Sequence, residues 1–307
     1  MTFEVTILGC GAATPTMRHL PTSQLVNVHD KLFLIDCGEG TQLQLRKYKI
    51  KFQRIEAVLI SHLHGDHYLG LMGLISSMHL LGRKSKLYIC GPTALKEIIL
   101  MQMKLSEMYL SFDLEFISTQ THEGGNIMAD NTLTIRPITL KHRIPCYGFV
   151  FTELEKKPKV SRNSIERWKL SIAEIVQLKN RIDIVRNDGS TLFWKDITEA
   201  PTKPRSFAFC SDTAFSETVI EEVKNVDLLY HEATFKKDLE KRAKETFHST
   251  AEQAGLVAKQ ANVGQLMIGH FSSRYTDDNE LLLEAQSVFP NTVLANEGLN
   301  VKVKSHL

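Results

Sequence analysis

The amino-acid sequence predicts an α/β fold, because short apolar segments alternate along the chain with segments of helical periodicity. The run 57–60 is uninterrupted and partly β-branched, which indicates a buried strand, and 86–90 is typical of a strand that the following Gly-Pro ends. The apolar residues of 69–81 and 93–110 recur at helical spacing instead. With 307 residues, 43% of them hydrophobic and 23% charged, the chain can bury a substantial core. This length fits one large α/β domain or two smaller ones.

The first strands lead into two turns that are rich in glycine and polar residues. Residues 2–8 alternate like a strand and run into the segment 9–16, which lacks the Gly-Lys-Ser/Thr of a phosphate-binding loop and is better explained as a tight turn. A second strand, 31–35, ends at Asp36, before a helix predicted over 42–48. The carboxylate of Asp36 could orient a ligand histidine of the next loop. An ordinary turn aspartate explains the same position equally well.

The segment 62–67 is the most informative part of the chain. Its His-x-His-x-Asp-His spacing places three imidazoles and a carboxylate directly after the buried strand 57–60. Residues i and i+2 of an extended chain share a face, so His62 and His64 can point to one site while Asp66 and His67 point to a second one nearby. Imidazole nitrogens together with carboxylate oxygens suit zinc best among the common divalent metals. The segment therefore predicts a metal site, and a chance pair of loop histidines is the weaker explanation.

This spacing resembles the signature of the metallo-β-lactamase superfamily, which suggests three further ligands downstream. His142, Asp212 and His270 each follow a short, mostly hydrophobic segment. Each would therefore lie at the carboxyl end of a strand, where α/β sheets gather their sites. A single histidine of this kind is more often an ordinary loop residue, but the three residues together favour a shared metal centre.

The segment 153–205 differs in composition from the rest of the chain. It holds twelve Lys/Arg against eight Asp/Glu, whereas the whole chain has a formal net charge of +2. Edges that contain proline flank a helix predicted over 165–178, so we interpret the segment as a basic arm inserted in a single domain, 1–307. Such an arm suits contact with a phosphate backbone. A solvated helical excursion of ordinary charge explains the same composition.

Several classes of protein are disfavoured by the sequence. The first residues lack a basic leader, so we expect no signal peptide, and no apolar run approaches the length of a membrane span. The five cysteines show no paired spacing. We interpret them as reduced, small hydrophobic residues of a cytoplasmic protein.

Three polar motifs in the last third of the chain make the resemblance more specific. They are His-Glu-Ala-Thr at 231–234, His-Ser-Thr at 248–250 and Gly-His-Phe-Ser-Ser-Arg-Tyr at 269–275. Together with the motif at 62–67, they resemble the tRNase Z family, whose members remove the 3′ trailer of precursor tRNA. The resemblance extends over the whole chain. From the residues alone, His248 could equally be a surface histidine without a task.

The resemblance implies a fold, a cofactor and a set of roles. The implied fold is an αββα sandwich of two mixed sheets. The resemblance also implies a homodimer that acts on precursor tRNA and binds the tRNA through the arm as an exosite. Asp66 can also accept a proton from water, while His248, oriented or charged by Glu232, protonates the leaving 3′ oxygen. Arg274 is a candidate phosphate clamp. The resemblance also implies two Zn²⁺ per subunit, bridged by Asp212. The implied ligands are His62, His64, Asp66, His67, His142, Asp212 and His270.

The implied reaction is hydrolysis of one phosphodiester, which leaves a tRNA 3′-hydroxyl and a 5′-phosphorylated trailer. Two departures from the family concern RNA recognition. The arm lacks the usual Gly-Pro run, which bears on tRNA capture, and 15–20 keeps little of a Pro-x-Lys-x-Arg-Asn-like pattern, which bears on how the cleavage end and any CCA sequence are read. The main alternative is a small-molecule phosphodiesterase of the same fold, against which the basic arm and the motifs at 231–234 and 248–250 argue. A metal-bound RNA-binding protein without turnover is disfavoured by the intact ligand set.

Overall fold

The computed structural model describes residues 2–122 and 124–306, which divide into two compact units. The larger unit extends up to Thr152 and resumes at Arg205, and the smaller unit is Glu153–Pro204. The smaller unit falls on the segment that composition alone marks as a basic arm. Each unit has a hydrophobic core of its own. None of the helices within the described ranges is both long and apolar enough to cross a membrane.

The first sheet of the larger unit is mixed. Numbered along the chain, its seven strands in the described ranges are β1 (Phe3–Gly9), β2 (Ser23–Val28), β3 (Lys31–Ile35), β4 (Ile55–Leu59), β5 (Leu87–Gly91), β6 (Leu114–Ser118) and β18 (Asn300–Lys302). They lie in the order β18-β1-β2-β3-β4-β5-β6. Strands β3 to β6 are parallel, while β1 is antiparallel to both of its neighbours. The carboxyl ends of β3 and β4 therefore meet at one edge.

The second sheet is also mixed and brings three more carboxyl ends together. Its seven strands within the described part are β7 (Met128–Ala129), β8 (Leu133–Thr139), β9 (Tyr147–Glu153), β14 (Ser206–Cys210), β15 (Leu228–Glu232), β16 (Gln265–Gly269) and β17 (Thr292–Leu294). Their order is β17-β16-β15-β14-β9-β8-β7. Strands β14 to β17 are parallel, and β9 is antiparallel to β14. The ends of β14, β15 and β16 thus lie side by side.

Helices cover the outer faces of the two sheets. The helices in the described part of the larger unit are α1 (Thr41–Lys47), α2 (Gly65–Tyr68), α3 (Leu71–Leu80), α4 (Ala94–Leu105), α8 (Glu217–Glu222), α9 (Glu240–Thr246), α10 (Ala251–Gln260) and α11 (Asn279–Val288), of which α2 and α9 lie at the edge that carries the candidate metal centre. Helices α1, α3 and α4 bury Leu45, Leu74 and Ile99 in a core that they share with β3 and β4. Helices α8, α10 and α11 belong to the core of the second sheet.

Aromatic side chains fill the space between the two sheets. The rings of Phe33 (β3) and Phe151 (β9) meet edge to face at 5.7 Å, and Phe151 contacts Phe207 (β14) at 6.0 Å. All three are almost fully buried, so the area that they remove from water contributes strongly to holding one sheet against the other. Two mixed sheets with helices on their outer faces confirm the predicted α/β class and the αββα arrangement.

The smaller unit contains short elements around a small core. They are β10 (Lys159–Val160), α5 (Arg162–Trp168), α6 (Ile172–Lys179), β11 (Ile184–Val185), β12 (Thr191–Leu192), α7 (Trp194–Ile197) and β13 (Thr198–Glu199). The single helix predicted over 165–178 is wrong, because the chain forms two helices there. Lys169 adopts a left-handed conformation (φ 49°) that ends α5, and Ser171 caps α6 in a capping box with Glu174.

Candidate metal centre

The seven predicted ligands all lie in loops or short helices that follow strands. His62 and His64 come after β4, with Asp66 and His67 in α2 directly behind them. The remaining three follow β8, β14 and β16: His142, Asp212 and His270. The two sheets therefore deliver these side chains to one edge of the sandwich, as the sequence predicted.

The ligand atoms of His62, His64, His142 and Asp212 form the first group, all within 4.8 Å of one another. His64 Nδ1 lies 2.9 Å from His62 Nε2 and 3.2 Å from His142 Nε2. Asp212 Oδ2 lies 3.6 Å from His62 Nε2. Three imidazole nitrogens and one carboxylate oxygen thus face a common point.

Asp66, His67 and His270 form a second group of ligand atoms beside the first. Asp66 Oδ2 lies 3.4 Å from His67 Nε2 and 3.6 Å from His270 Nε2. The other oxygen of Asp212, Oδ1, lies 3.4 Å from His67 Nε2 and 3.2 Å from His270 Nε2. The carboxylate of Asp212 therefore stands between the two groups, with one oxygen towards each.

The hydrogen bonds of the histidine rings fit metal coordination. The Nδ1 atoms of His67, His142 and His270 lie 2.8 to 3.1 Å from Asp36 Oδ2, Phe247 O and Thr234 Oγ1. Their Nε2 atoms turn inward, and those of His67 and His270 are buried without a hydrogen-bond partner within the described residues. Buried polar atoms are normally satisfied, and ligand histidines characteristically bond through their second nitrogen. The cluster therefore fits metal ions.

Asp36 is the residue for which the sequence left two explanations. Its fully buried carboxylate accepts hydrogen bonds from Ser61 N (2.8 Å) and Ser61 Oγ (3.0 Å), and it faces His67. Burial raises the pKa of this carboxyl. The bonds from Ser61 and the contact with His67 act in the opposite direction and favour the charged form. Asp36 is therefore positioned to orient the His67 ring.

Backbone strain is concentrated at two residues of the centre. Asp36 (φ 54°) and His270 (φ 61°) both adopt the left-handed conformation directly after a strand, although neither is glycine. Such a conformation costs of order 1–3 kcal/mol and persists where the surroundings enforce it. Near them, the backbone at Gly70 approaches the carbonyl oxygen of Gly38 so closely that a Cβ at Gly70 would lie 2.1 Å from it, so this position requires glycine. The chain accepts this cost at the edge where the ligands converge.

His248 and Glu232 form a hydrogen-bonded pair next to the ligands. His248 Nδ1 lies 2.9 Å from Glu232 Oε1, and Glu232 also accepts bonds from Thr213 N (2.8 Å) and Thr234 Oγ1 (2.6 Å). Burial disfavours the protonated form of His248, but the charge and hydrogen bond of Glu232 outweigh it and raise the pKa of His248 to about 9. His248 is therefore held as a cation near neutral pH.

His231, the first residue of the same motif, does not face the centre. Its Nδ1 donates to the carbonyl of Glu232 at 2.7 Å. It belongs to none of the groups of ligand atoms in the described part of the chain. Burial lowers the pKa of this ring, which is consistent with a neutral side chain in the core.

A cavity of about 820 Å³ opens onto both groups of ligand atoms. Three exposed arginines line its wall: Arg143, Arg242 and Arg274. Arg143 Nη2 lies 3.3 Å from His64 Nε2, and the Arg274 guanidinium stacks 5.0 Å above the ring of Phe235. The wall thus offers fixed positive charge to an anionic ligand.

Sequence reasoning missed several of these residues. Ser61 and Thr234 hold ligand histidines, and Arg143 and Arg242 line the cavity. Ser61 immediately precedes the motif at 62–67, and Thr234 ends the motif at 231–234, so proximity to a motif was an available signal for both. Arg242 lies on α9, between the motifs at 231–234 and 248–250 but in neither of them, and the fold brings it to the cavity.

Two models of known protein families match this chain. The family model described as "Anti-Pycsar protein Apyc1" matches residues 3–188, and the model described as "Beta-lactamase superfamily domain" matches residues 170–271. The fold and the cluster of His and Asp side chains accordingly define a metal-dependent enzyme of the metallo-β-lactamase superfamily.

Full-length relatives narrow the class further. The chain is 46% identical over 301 residues to "Ribonuclease Z" of Bacteroides fragilis, covering 98% of this chain and 99% of the relative, and 46% identical over 303 residues to "Ribonuclease Z" of Phocaeicola vulgatus, covering 99% and 98%. Its structure superposes on human tRNase Z, short form (ELAC1), with a TM-score of 0.70 and 25% identity, covering 98% and 99%. The chain belongs to the ribonuclease Z family and, by the match over residues 3–188, to the domain family with the Apyc1 description. It is a metal-dependent endoribonuclease, which confirms the predicted enzyme class.

Proposed function

We propose that the protein is a tRNA 3′-processing endonuclease that hydrolyses one phosphodiester of precursor tRNA, leaving a tRNA 3′-hydroxyl and a 5′-phosphorylated trailer. The observation that carries this proposal is the convergence of six ligand-type side chains around Asp212, with the His248–Glu232 pair beside them. The names of the full-length relatives support an RNA substrate, and the similarity to human tRNase Z supports tRNA in particular. They do not favour the alternative of a small-molecule phosphodiesterase.

The donor sets support two Zn²⁺ per subunit. His62, His64 and His142 would hold one ion and Asp66, His67 and His270 the other, with one oxygen of Asp212 for each. Imidazole and carboxylate ligands of this kind suit zinc. Bound metal ions supply Lewis-acid stabilisation of charge on a phosphoryl oxygen and lower the pKa of water.

The residues of the chain divide the proton transfers between them. Asp66 Oδ2 is oriented by a hydrogen bond from Ala13 N (2.8 Å) and stands at the cavity, where it can accept a proton from the attacking water. His248, kept protonated by Glu232, stands at the same cavity and can donate a proton to the leaving 3′ oxygen. A hydrolysis needs one group of each kind, so the two residues suffice for proton balance.

The three cavity arginines would bind phosphates of the RNA on either side of the cut. Arg274 has a fixed position, because it stacks on Phe235 and its Nε donates to Ser272 Oγ at 3.0 Å. Arg143 stands at the opposite group of ligands, next to His64. A planar guanidinium can make two parallel hydrogen bonds to a phosphate, which fixes its orientation as well as its position.

The unit Glu153–Pro204 is proposed as the exosite that captures the body of the tRNA. Its cations are displayed on aromatic rings: Arg167 stacks on Trp168 at 5.4 Å, and Arg181 lies 5.8 Å from the Trp194 ring. It also exposes the apolar side chain of Ile172, of which 83% is accessible. Exposed cations and aromatic planes are the groups that bind an RNA backbone and unpaired bases.

A homodimer is the proposed assembly, and the cytoplasm is the proposed compartment. Helix α4 exposes Met101 (56%) and Leu105 (77%), followed by Tyr109 (82%). A second copy of the chain would remove this apolar face from water. All five cysteines are free and buried, which suits a reducing compartment. Light scattering of wild type and Leu105→Glu checks the assembly, since the variant should have half the mass of the wild type.

The reaction is tested by incubating purified protein with precursor tRNA and mapping the position and end groups of the cut. We expect a single cut at the junction of tRNA and trailer, abolished by chelation and restored by added Zn²⁺. A small chromogenic phosphodiester serves as the second substrate. Turnover of that substrate by metal-loaded protein that leaves precursor tRNA intact would support the small-molecule alternative and reject the proposal.

A further inference from the structure

A second cluster of ligand-type side chains lies apart from the groups described above. Cys10 follows β1, His19 lies in the loop after it, and Glu297 lies between β17 and β18. Cys10 Sγ is 3.2 Å from His19 Nδ1, which in turn is 3.0 Å from Glu297 Oε2. The three ligand atoms lie within 4.8 Å of one another, in the same range as those of the candidate metal centre.

We propose that Cys10 Sγ, His19 Nδ1 and the carboxylate of Glu297 form a third metal site, separate from the catalytic centre and selective for zinc-like cations. A thiolate, an imidazole and a carboxylate are together a donor set that zinc and cobalt accept and that magnesium and calcium do not favour. The site does not depend on the proposed reaction. None of its three residues takes part in that reaction.

Asp278 supports this assignment, because it holds the histidine ring in the orientation that a ligand requires. Its Oδ2 lies 2.8 Å from His19 Nε2 and accepts a hydrogen bond from Arg18 Nη2 at 2.6 Å. Ligand histidines characteristically donate their second ring N–H to a carboxylate in this way. Nδ1 is then directed at the thiol and at Glu297. Asp278 is buried, and its other oxygen has no hydrogen-bond partner in the described ranges.

The net charge of the cluster is zero both when His19 and Cys10 are protonated and when a divalent metal replaces their protons. Hydrogen bonds from His19 to Asp278, Cys10 and Glu297 outweigh burial and raise the pKa of His19 to about 12, and burial raises the pKa of the Cys10 thiol to about 12. In this protonated state His19 and Arg18 balance Asp278 and Glu297. A divalent ion that displaces the protons of His19 Nδ1 and Cys10 also leaves the cluster neutral, so the exchange creates no uncompensated buried charge.

The location of the site suggests that its metal fixes the loop beside the catalytic centre. Cys10 O accepts a hydrogen bond from Phe271 N at 2.9 Å, and Ala12 N donates to Phe271 O at 3.0 Å. The next residue, Ala13, donates its N–H to Asp66. A metal held between Cys10 and His19 would therefore constrain both ends of the segment that contacts Asp66.

Cobalt substitution tests the proposal in the full chain, because only a thiolate ligand gives a thiolate-to-cobalt charge-transfer band in the near ultraviolet. The seven residues of the catalytic centre contribute nitrogen and oxygen alone. We expect the band in the Co²⁺-loaded wild type, its loss in Cys10→Ser together with one metal equivalent per chain, and its retention in Cys90→Ser, a matched buried cysteine outside every group of ligand atoms in the described part. The band should also survive His62→Ala, which alters the catalytic centre instead.

A measurement on the wild type keeps the proposal testable if Cys10→Ser does not fold. Nitrogen-15 NMR of the His19 ring distinguishes an imidazolium from a ring that coordinates metal through Nδ1. We expect the coordinated form in Zn²⁺-loaded protein at neutral pH. An imidazolium under those conditions, a wild type without the band, or a band that persists in Cys10→Ser each overturns the proposal. Loss of RNA cleavage alone leaves these readouts unchanged, so the two proposals fail separately.

Discussion

The candidate metal centre and the unit Glu153–Pro204 are built on opposite principles. In the centre, the side chains of His62, His67 and Glu232 are completely buried, and each makes defined contacts through hydrogen bonds or ligand atoms. In the smaller unit, Arg162 is 91% exposed, and the core is a handful of apolar residues. Chemistry requires groups held in place before the substrate arrives, whereas capture of an irregular RNA requires accessible cations and rings. We therefore expect substitutions in the centre to change kcat and those in the smaller unit to change KM.

The largest effect is expected from Asp66→Ala, which removes both a ligand atom and the proposed proton acceptor. Cleavage of precursor tRNA should fall by about 10⁴-fold or more, as for groups that act as a unit. Binding of tRNA, measured by fluorescence anisotropy, should remain largely intact. Asp113→Ala, an exposed aspartate that does not line the cavity, is the control. A variant that loses binding together with cleavage would show that Asp66 acts mainly on structure.

His248→Ala should come next, lowering kcat by about 10²–10⁴-fold with little change in KM, because it removes the proposed general acid but no ligand. The substitution is compared with His122→Ala, which removes a histidine outside the cavity. Metal content should stay at the wild-type level. An unchanged kcat would exclude His248 as the group that protonates the leaving oxygen.

The pH profile provides an independent check of the same residue. A general acid works while protonated, so with the pKa of His248 raised to about 9 the wild-type rate should fall as pH rises through about 9. Glu232→Gln removes the charge that raises this pKa, so the alkaline limb should move to lower pH. If the alkaline limb keeps its position in Glu232→Gln, the limb reflects the titration of a group other than His248.

Excision of the smaller unit separates capture from chemistry. Thr152 and Ser206 are register partners in the antiparallel pair of β9 and β14, so a short Asn-Gly turn can rejoin the strands after the segment between them is removed. We expect kcat/KM for precursor tRNA to fall by roughly 10²-fold, the loss that follows when one of two linked binding sites is removed. Hydrolysis of a small phosphodiester should change little. Equal losses on both substrates would contradict the exosite.

The positions of the candidate ligands at strand ends could be predicted from the sequence, because they lie shortly after apolar runs and the spacing at 62–67 is compact. The contacts behind the ligands could not. Phe247 holds His142 through a backbone carbonyl, for which any side chain would do, so its residue type carries no information. Asp36 remained ambiguous until the parallel pairing of β3 and β4 set it beside Ser61.

The division of 165–178 into two helices has a local cause that the sequence did contain. The Ser171-x-x-Glu174 pattern is a start signal for a helix, but the apolar periodicity on both sides of it favoured a continuous one. The cluster of Cys10, His19 and Glu297, in contrast, could not be predicted from the sequence. Its members come from three separate segments of the chain, and only the closure of β1 against β18 brings Glu297 to His19.

Asp36→Asn should have a moderate effect on the metal centre. It keeps the shape of the side chain but weakens the charge that faces His67, so metal affinity should fall by about 10–100-fold. The measurement is a competition titration of the two proteins with a metal chelator. Activity should return when the variant is saturated with Zn²⁺. A loss of activity that saturating metal does not restore would point to a role for Asp36 beyond the orientation of His67.

Trp168→Ala is expected to have the smallest effect and tests the smaller unit at a single contact. The ring supports the Arg167 guanidinium, and a cation–π contact at an exposed site contributes about 0.5–1 kcal/mol. Affinity for tRNA should therefore fall by about 2–5-fold, without a change in hydrolysis of the small phosphodiester. Ile172→Ala removes an exposed, uncharged apolar side chain of the same unit and serves as the comparison. If both variants weaken binding equally, apolar surface and not the stacked cation carries the contact, and the smaller unit binds RNA by a different chemistry from the arginines of the cavity.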